Sequence, residues 1–142
     1  MKEPDLSIRP SGSPKPTLVV ESGWSETHKK LLDDIRLWVK GGAGAVVMAI
    51  VIKWTKTNNS VKGFIEVYVL DQTGNEHLIQ KEDIFPRPAP GAPVQQIAIT
   101  RGQLFGAALL PGRNPNDTFN LSLNGLRAVA TETMRIEGYQ PA

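Results

Sequence analysis

A chain of 142 residues, 40% hydrophobic and 21% charged, is long enough to bury a core and has the makeup of one globular domain. It has no cysteine and only two histidines, His28 and His77, which excludes a disulfide framework, a thiolate metal site and a cysteine nucleophile. Any metal would be held mainly by oxygen ligands, and a formal net charge of +2 permits a nucleic-acid partner without arguing for one.

Met1 to Pro10 are polar and carry both charge signs, so no secretory signal is expected. The longest apolar run, Ala43 to Ile52, has about half of the ~20 residues a membrane span needs. These features predict a soluble intracellular protein, in cytoplasm or nucleus, without a membrane partner.

In chain order, Leu6-Ser7-Ile8 alternates like a short strand, Pro10 to Pro16 is a loop, and Thr17 to Val20 is a second β-prone run. Ser22-Gly23-Trp24 is expected to break that strand, with Ser25 as the N-cap of a helix over Glu26 to Lys40. Leu31, Leu32, Ile35, Trp38 and Val39 form the helix's buried stripe, and Gly41-Gly42 its stop. Ala45 to Trp54 is unbroken and rich in valine and isoleucine, the pattern of a central strand buried on both faces. Strand, helix and buried strand make a βαβ unit with a parallel pair and a right-handed crossover.

A turn at Thr57 to Ser60 leads to a strand over Val61 to Leu70, a hairpin turn at Asp71 to Asn75 and a return strand over Glu76 to Phe85. Pro86 to Pro93 is a proline-stiffened loop, Gln95 to Thr100 a short strand, and Gly102 to Phe119 irregular. Asn120 or Ser122 caps a last helix through about Ile136, with Leu123, Leu126, Ala130 and Met134 on one side.

If the first two strands pair antiparallel with Arg9 opposite Thr17, Leu6 faces Val20, Ile8 faces Leu18, and Asp5 stands opposite Glu21. The register that buries the aliphatics therefore also apposes two acids, with Cβ atoms about 5 Å apart. Like charges so placed repel, and a hard divalent cation between them would turn repulsion into coordination. Both acids would lie where the crossover helix leaves the sheet, a usual place for ligands in open α/β sheets. Lys53 would come near from the parallel strand. The plain alternative is a pair of solvated surface acids.

The stretches Pro4-Asp5-Leu6-Ser7-Ile8 and Pro16-Thr17-Leu18-Val19-Val20-Glu21 resemble the paired motif of PD-(D/E)XK nucleases. More narrowly, they resemble the putative restriction endonucleases abundant in cyanobacteria. Leu18 to Glu26 and Ile52-Lys53-Trp54 are similar to related uncharacterised fungal proteins, and Ile97 to Thr100 with Leu104-Phe105 to the family's C-terminal strand and following segment. The resemblance spans roughly Pro4 to Arg127. It implies a fold class of α/β (α+β): a restriction-endonuclease-like mixed sheet with a βαβ crossover helix, a β-meander and a C-terminal helix, in a single domain over 1–142. It implies a metal-dependent nuclease, a DNA endonuclease using Mg²⁺, with Mn²⁺ as substitute, held by Asp5 and Glu21. It also suggests nucleic acid as partner and a homodimer as assembly.

Two departures qualify that implication. The family's lysine lies two residues beyond the second acid, where this chain has Gly23. Related sequences carry it on the helix, one turn before an aromatic; with Trp38 as that aromatic the position is Asp34. Lys30, one turn earlier, and Lys53 are the substitutes, against plain readings as an i,i+4 surface pair and a snorkelling side chain. The usual helix before the first motif is also missing, since only Met1-Lys2-Glu3 precede Pro4. The alternative is thus a catalytically inactive binding or assembly module on the same fold, or a fragment of a longer frame.

The remaining features read as packing or local structure. Trp24, Trp38 and Trp54 are expected as core anchors. Ser25 and His28 lack a third catalytic member and read as a cap and a surface histidine. Gly41 to Gly44 lacks the Lys-Ser/Thr ending of a phosphate loop.

Overall fold

The computed structural model describes residues 5–24, 26–41 and 45–142, with backbone only for 39–41. Ser25 as cap, the glycine stop and turn at 42–44, Val39 in the apolar stripe, and residues 1–4 lie outside the described residues.

Leu6–Ile8 (β1) pairs antiparallel with Leu18–Gly23 (β2), and β2 pairs parallel with Met48–Thr57 (β3). Between the parallel strands runs the helix His28–Gly41 (α1). Ser60–Leu70 (β4) and Glu76–Phe85 (β5) continue the sheet as an antiparallel meander. Gln96–Thr100 (β6) and Thr118–Ser122 (β7) form a separate two-stranded sheet, followed by the helix Leu123–Glu137. The short helix Arg101–Phe105 is α2, the long one α3, and the last two-residue strand Gln140–Pro141 (β8) lies parallel to β4. The class is mixed α+β.

The main sheet is buried on both sides at its centre because β3 is apolar on both. Met48, Ile50 and Trp54 face a core shared with Leu18, Ile65, Val67, Phe85, Ile97, Leu123 and Met134. Ala49 and Val51 face a second core under α1, with Val19, Leu31, Ile35 and Tyr68. Leu31 and Ile35 are fully buried there, and each such side chain contributes about 1.5–3 kcal/mol.

Several boundaries differ from the expectations, for local reasons. Strand β2 runs on through Gly23 rather than breaking at Ser22, because Ser22 and Gly23 keep pairing with Ile52 and Lys53 of β3. Helix α1 starts at His28 rather than Glu26, and Thr27 Oγ1 accepts from Lys30 N–H at 3.1 Å, as a cap does. Strand β3 starts at Met48 and passes Trp54 to Thr57, turning through Asn58 at φ 56°. The stretch 102–119 is not wholly irregular: α2 has a capping box of Thr100 and Gln103, and β7 begins at Thr118. Of the two candidate caps for α3, Ser122 serves, accepting from Gly125 N–H.

Arg127 is the largest fully buried side chain. It donates to the carbonyls of Ile84 and Asp83 at 2.8 and 2.7 Å, to Asn124 Oδ1 at 3.0 Å, and to Gln95 Oε1. It thereby ties α3 to the end of β5. Burial holds its pKa below the ordinary guanidinium value.

Candidate functional site

The first ladder is Leu6↔Val20, Ser7↔Val19 and Ile8↔Leu18, the expected register, but β1 is an edge strand whose Leu6 and Ile8 remain exposed rather than entering the core. Extended one step past its last rung, that ladder would set Asp5 opposite Glu21, near the end of β2 from which the chain enters α1. The two carboxylates have different surroundings. Asp5 is exposed, and its Oδ2 accepts the backbone N–H of Ser22 at 2.7 Å. Glu21 is 1% exposed and faces α1, where its Oε1 accepts the indole N–H of Trp38 at 2.9 Å. A carboxylate so buried must be compensated by donors or cations.

Both candidate lysines are engaged. Lys30 Nζ lies 2.6 Å from Asp34 Oδ1, and while the lysine is half-exposed, Asp34 is 1% exposed. The pair therefore has one end in the protein and is more than an exposed i,i+4 bridge. Lys53, opposite Gly23 across the parallel pair, donates to the carbonyls of Trp24 and Trp54 at 2.6 and 2.9 Å. It does not snorkel to solvent; it fastens the loop after β2 to β3. At Gly23, two residues beyond Glu21, a Cβ would stand 3.2 Å from both Leu31 Cδ2 and Glu26 Cβ. Helix α1 packs over this position through Leu31.

A second polar group on the same face was not anticipated. Glu66 is buried in β4, and its register partners place Glu21, Val51, Glu66 and Lys81 in one row across four strands. Two strand spacings, about 10 Å, separate the two glutamates. His28 Nε2 donates to Glu66 Oε1, Tyr68 OH donates to the same oxygen at 3.0 Å, and Lys81 Nζ is 3.9 Å from Oε2. Burial, with the Glu66 carboxylate beside it, pushes the Tyr68 hydroxyl well above its ordinary pKa. His28 is thus not a solitary surface histidine. The signal was a lone acid in the apolar run Phe64-Ile65-Glu66-Val67-Tyr68, the same signal Glu21 gives after Leu18-Val19-Val20.

The tryptophans divide. Trp54 is buried, Trp38 is the half-buried donor to Glu21, and Trp24 is 44% exposed, stacked on Trp54 at 5.9 Å, so it is no core anchor.

The donor chemistry of Asp5 and Glu21 suits a hard cation, being all oxygen. Among the described residues, no group of three or more His, Cys, Asp or Glu is placed to hold a metal ion, so this pair would need water or substrate oxygens to complete a shell. No described helix is long and apolar enough to cross a membrane. No protein-family model, curated protein or solved structure matches the chain.

Proposed function

We propose that this is a nuclease-like domain of the restriction-endonuclease-like type, with Asp5 and Glu21 as the carboxylates of a Mg²⁺ site that acts on the phosphodiesters of DNA. The observation that carries the reading is the ladder Leu6↔Val20 to Ile8↔Leu18, continued one step to the two acids at the mouth of the crossover. The run of strand, strand, crossover helix and antiparallel meander is in keeping with that fold.

A divalent cation supplies acidity to a nearby water and offsets the charge that develops on phosphate. The chain's own part is to present the carboxylates. Trp38 orients Glu21 from the helix side, and the Ser22 N–H orients Asp5. Of the two candidate lysines, Lys30 is the one free to turn toward phosphate, since its half-exposed ammonium is held by a carboxylate whereas Lys53 is fastened to two backbone carbonyls. That move would leave Asp34 to its other contacts.

A second reading has its own support. Lys53 is bound to two backbone carbonyls and a side chain at Gly23 would press on Leu31 and Glu26, so the domain keeps the architecture and serves as a binding or assembly module. Plasmid nicking with Mg²⁺ or Mn²⁺ separates the two. The nuclease reading expects metal-dependent nicks that vanish in Asp5→Asn and Glu21→Gln. Nicking that persists in the double variant sinks this site, and absence of nicking in wild type with intact metal binding favours the module.

A further inference from the structure

We propose that β7 is the seam of a homodimer, in which a second copy of this chain pairs antiparallel with it about Asn120. Among the described residues β7 pairs with β6 alone, through the rungs Gln96↔Ser122 to Thr100↔Thr118. The bonds that bracket this ladder are Leu123 N–H to Gln95 O at 3.2 Å and Arg101 N–H to Asp117 O at 2.7 Å. Hydrogen-bonded rungs alternate in an antiparallel pair, so the odd-numbered residues of β7 bond to β6. Thr118 and Asn120 therefore turn their backbone N–H and C=O groups to the outer edge, as does the N–H of Ser122, whose C=O enters α3 as its N-cap.

That edge has none of the usual protection. All five residues are exposed and uncharged, and none is proline. The far edge of the main sheet, β5, carries Glu76, Lys81, Glu82 and Asp83 instead.

The occupant is specified by the symmetry of the strand itself. Thr-Phe-Asn-Leu-Ser reads alike in both directions by residue type: a hydroxyl at each end, a large apolar residue next, an amide at the centre. A two-fold axis at Asn120 sets Thr118 against the partner's Ser122 and Phe119 against the partner's Leu121, the isologous pattern of a C2 interface. Phe119 and Leu121 are 44% and 48% exposed on the face whose inner rungs, Ile99 and Ile97, are buried. Pairing would carry that core across the axis as a four-stranded sheet. No charge falls within the five rungs, and the flanking Asp117 already meets Arg101 of its own chain at 3.3 Å. Five rungs are few, so the dimer should be concentration-dependent.

The test uses the full chain. Asn120→Pro removes an outward N–H and no β6–β7 bond, a position proline tolerates. Wild type should sediment as a monomer–dimer mixture, and Asn120→Pro should raise the dissociation constant at least tenfold with an unchanged circular dichroism spectrum. Because the chain has no cysteine, Asn120→Cys gives an independent reading. Paired Cα atoms about 5.5 Å apart lie within disulfide range, so mild oxidation should link two copies. Asn116→Cys, about 27 Å from its counterpart if the ladder continued, should not link. A wild type that stays monomeric, or equal cross-linking at 116 and 120, overturns the proposal.

Discussion

The indole N–H of Trp38 lies 2.9 Å from Glu21 Oε1, so the crossover helix holds the acid at the end of β2 by a side-chain bond across the second core. Trp38→Phe keeps the ring's apolar bulk and deletes the donor. It should cost about 1–3 kcal/mol, the usual penalty for stripping a partner from a buried group. Urea denaturation checks this: the midpoint should fall while the slope holds.

Gly63 faces Trp54 across β3 and β4, and a Cβ there would sit 2.5 Å from the indole ring. Gly63→Ala must displace Trp54 and the Trp24 stacked on it. Overpacking of this kind costs about 1–3 kcal/mol. A lower melting temperature together with changed tryptophan fluorescence would report the displacement, and an unchanged spectrum would argue against it.

Arg127 satisfies the carbonyls of Asp83 and Ile84 from α3. Arg127→Met preserves much of the volume and orphans both acceptors, at roughly 1–3 kcal/mol each. Hydrogen exchange should quicken at the end of β5 and in α3 ahead of the rest of the main sheet.

The β4–β5 turn is tied by Asp71, which accepts from Thr73, Asn75 and His77. Those bonds, His77 first, hold its pKa well below the ordinary 3.8. A depressed folded pKa means stabilisation present above about pH 4 and lost as pH falls below it. Melting temperature followed from pH 6 to pH 3 should drop further in wild type than in Asp71→Asn. Equal slopes would show the turn to be inert.

The sequence was most legible where apolar spacing left one solution. The alternation of Leu6 and Ile8 against Leu18 and Val20 pointed to the register that is seen, although only Leu18 is fully buried and Leu6 and Ile8 stay exposed. The stripe Leu123, Leu126, Ala130 and Met134 likewise fixed the inner side of α3. Strand β7 was hidden because its five residues are all exposed and three of them polar, so no buried alternation marked it. The two rungs of β8 rest on Gln140 N–H to Asn59 O and Ala142 N–H to Val61 O, contacts without side-chain pattern. In the candidate site, the apposition of the two acids follows only by extending the register, whereas the contacts of Lys53 with Trp24 and of Glu66 with His28 and Lys81 join elements distant in sequence. Spacing carries no such information.

The central claim is that Asp5 and Glu21 together hold a divalent cation. Thermal melting of wild type, Asp5→Asn and Glu21→Gln across a titration of Mg²⁺ and Mn²⁺ tests it most directly. Glutamine at 21 retains an oxygen for Trp38, so the fold's bond survives while the charge is lost. Binding to the folded state alone stabilises by about 2.7 kcal/mol at a hundredfold excess over Kd. A saturable rise in wild-type melting temperature that is absent in both variants is the expected result. No rise in wild type, or the same rise in all three proteins, would contradict the account.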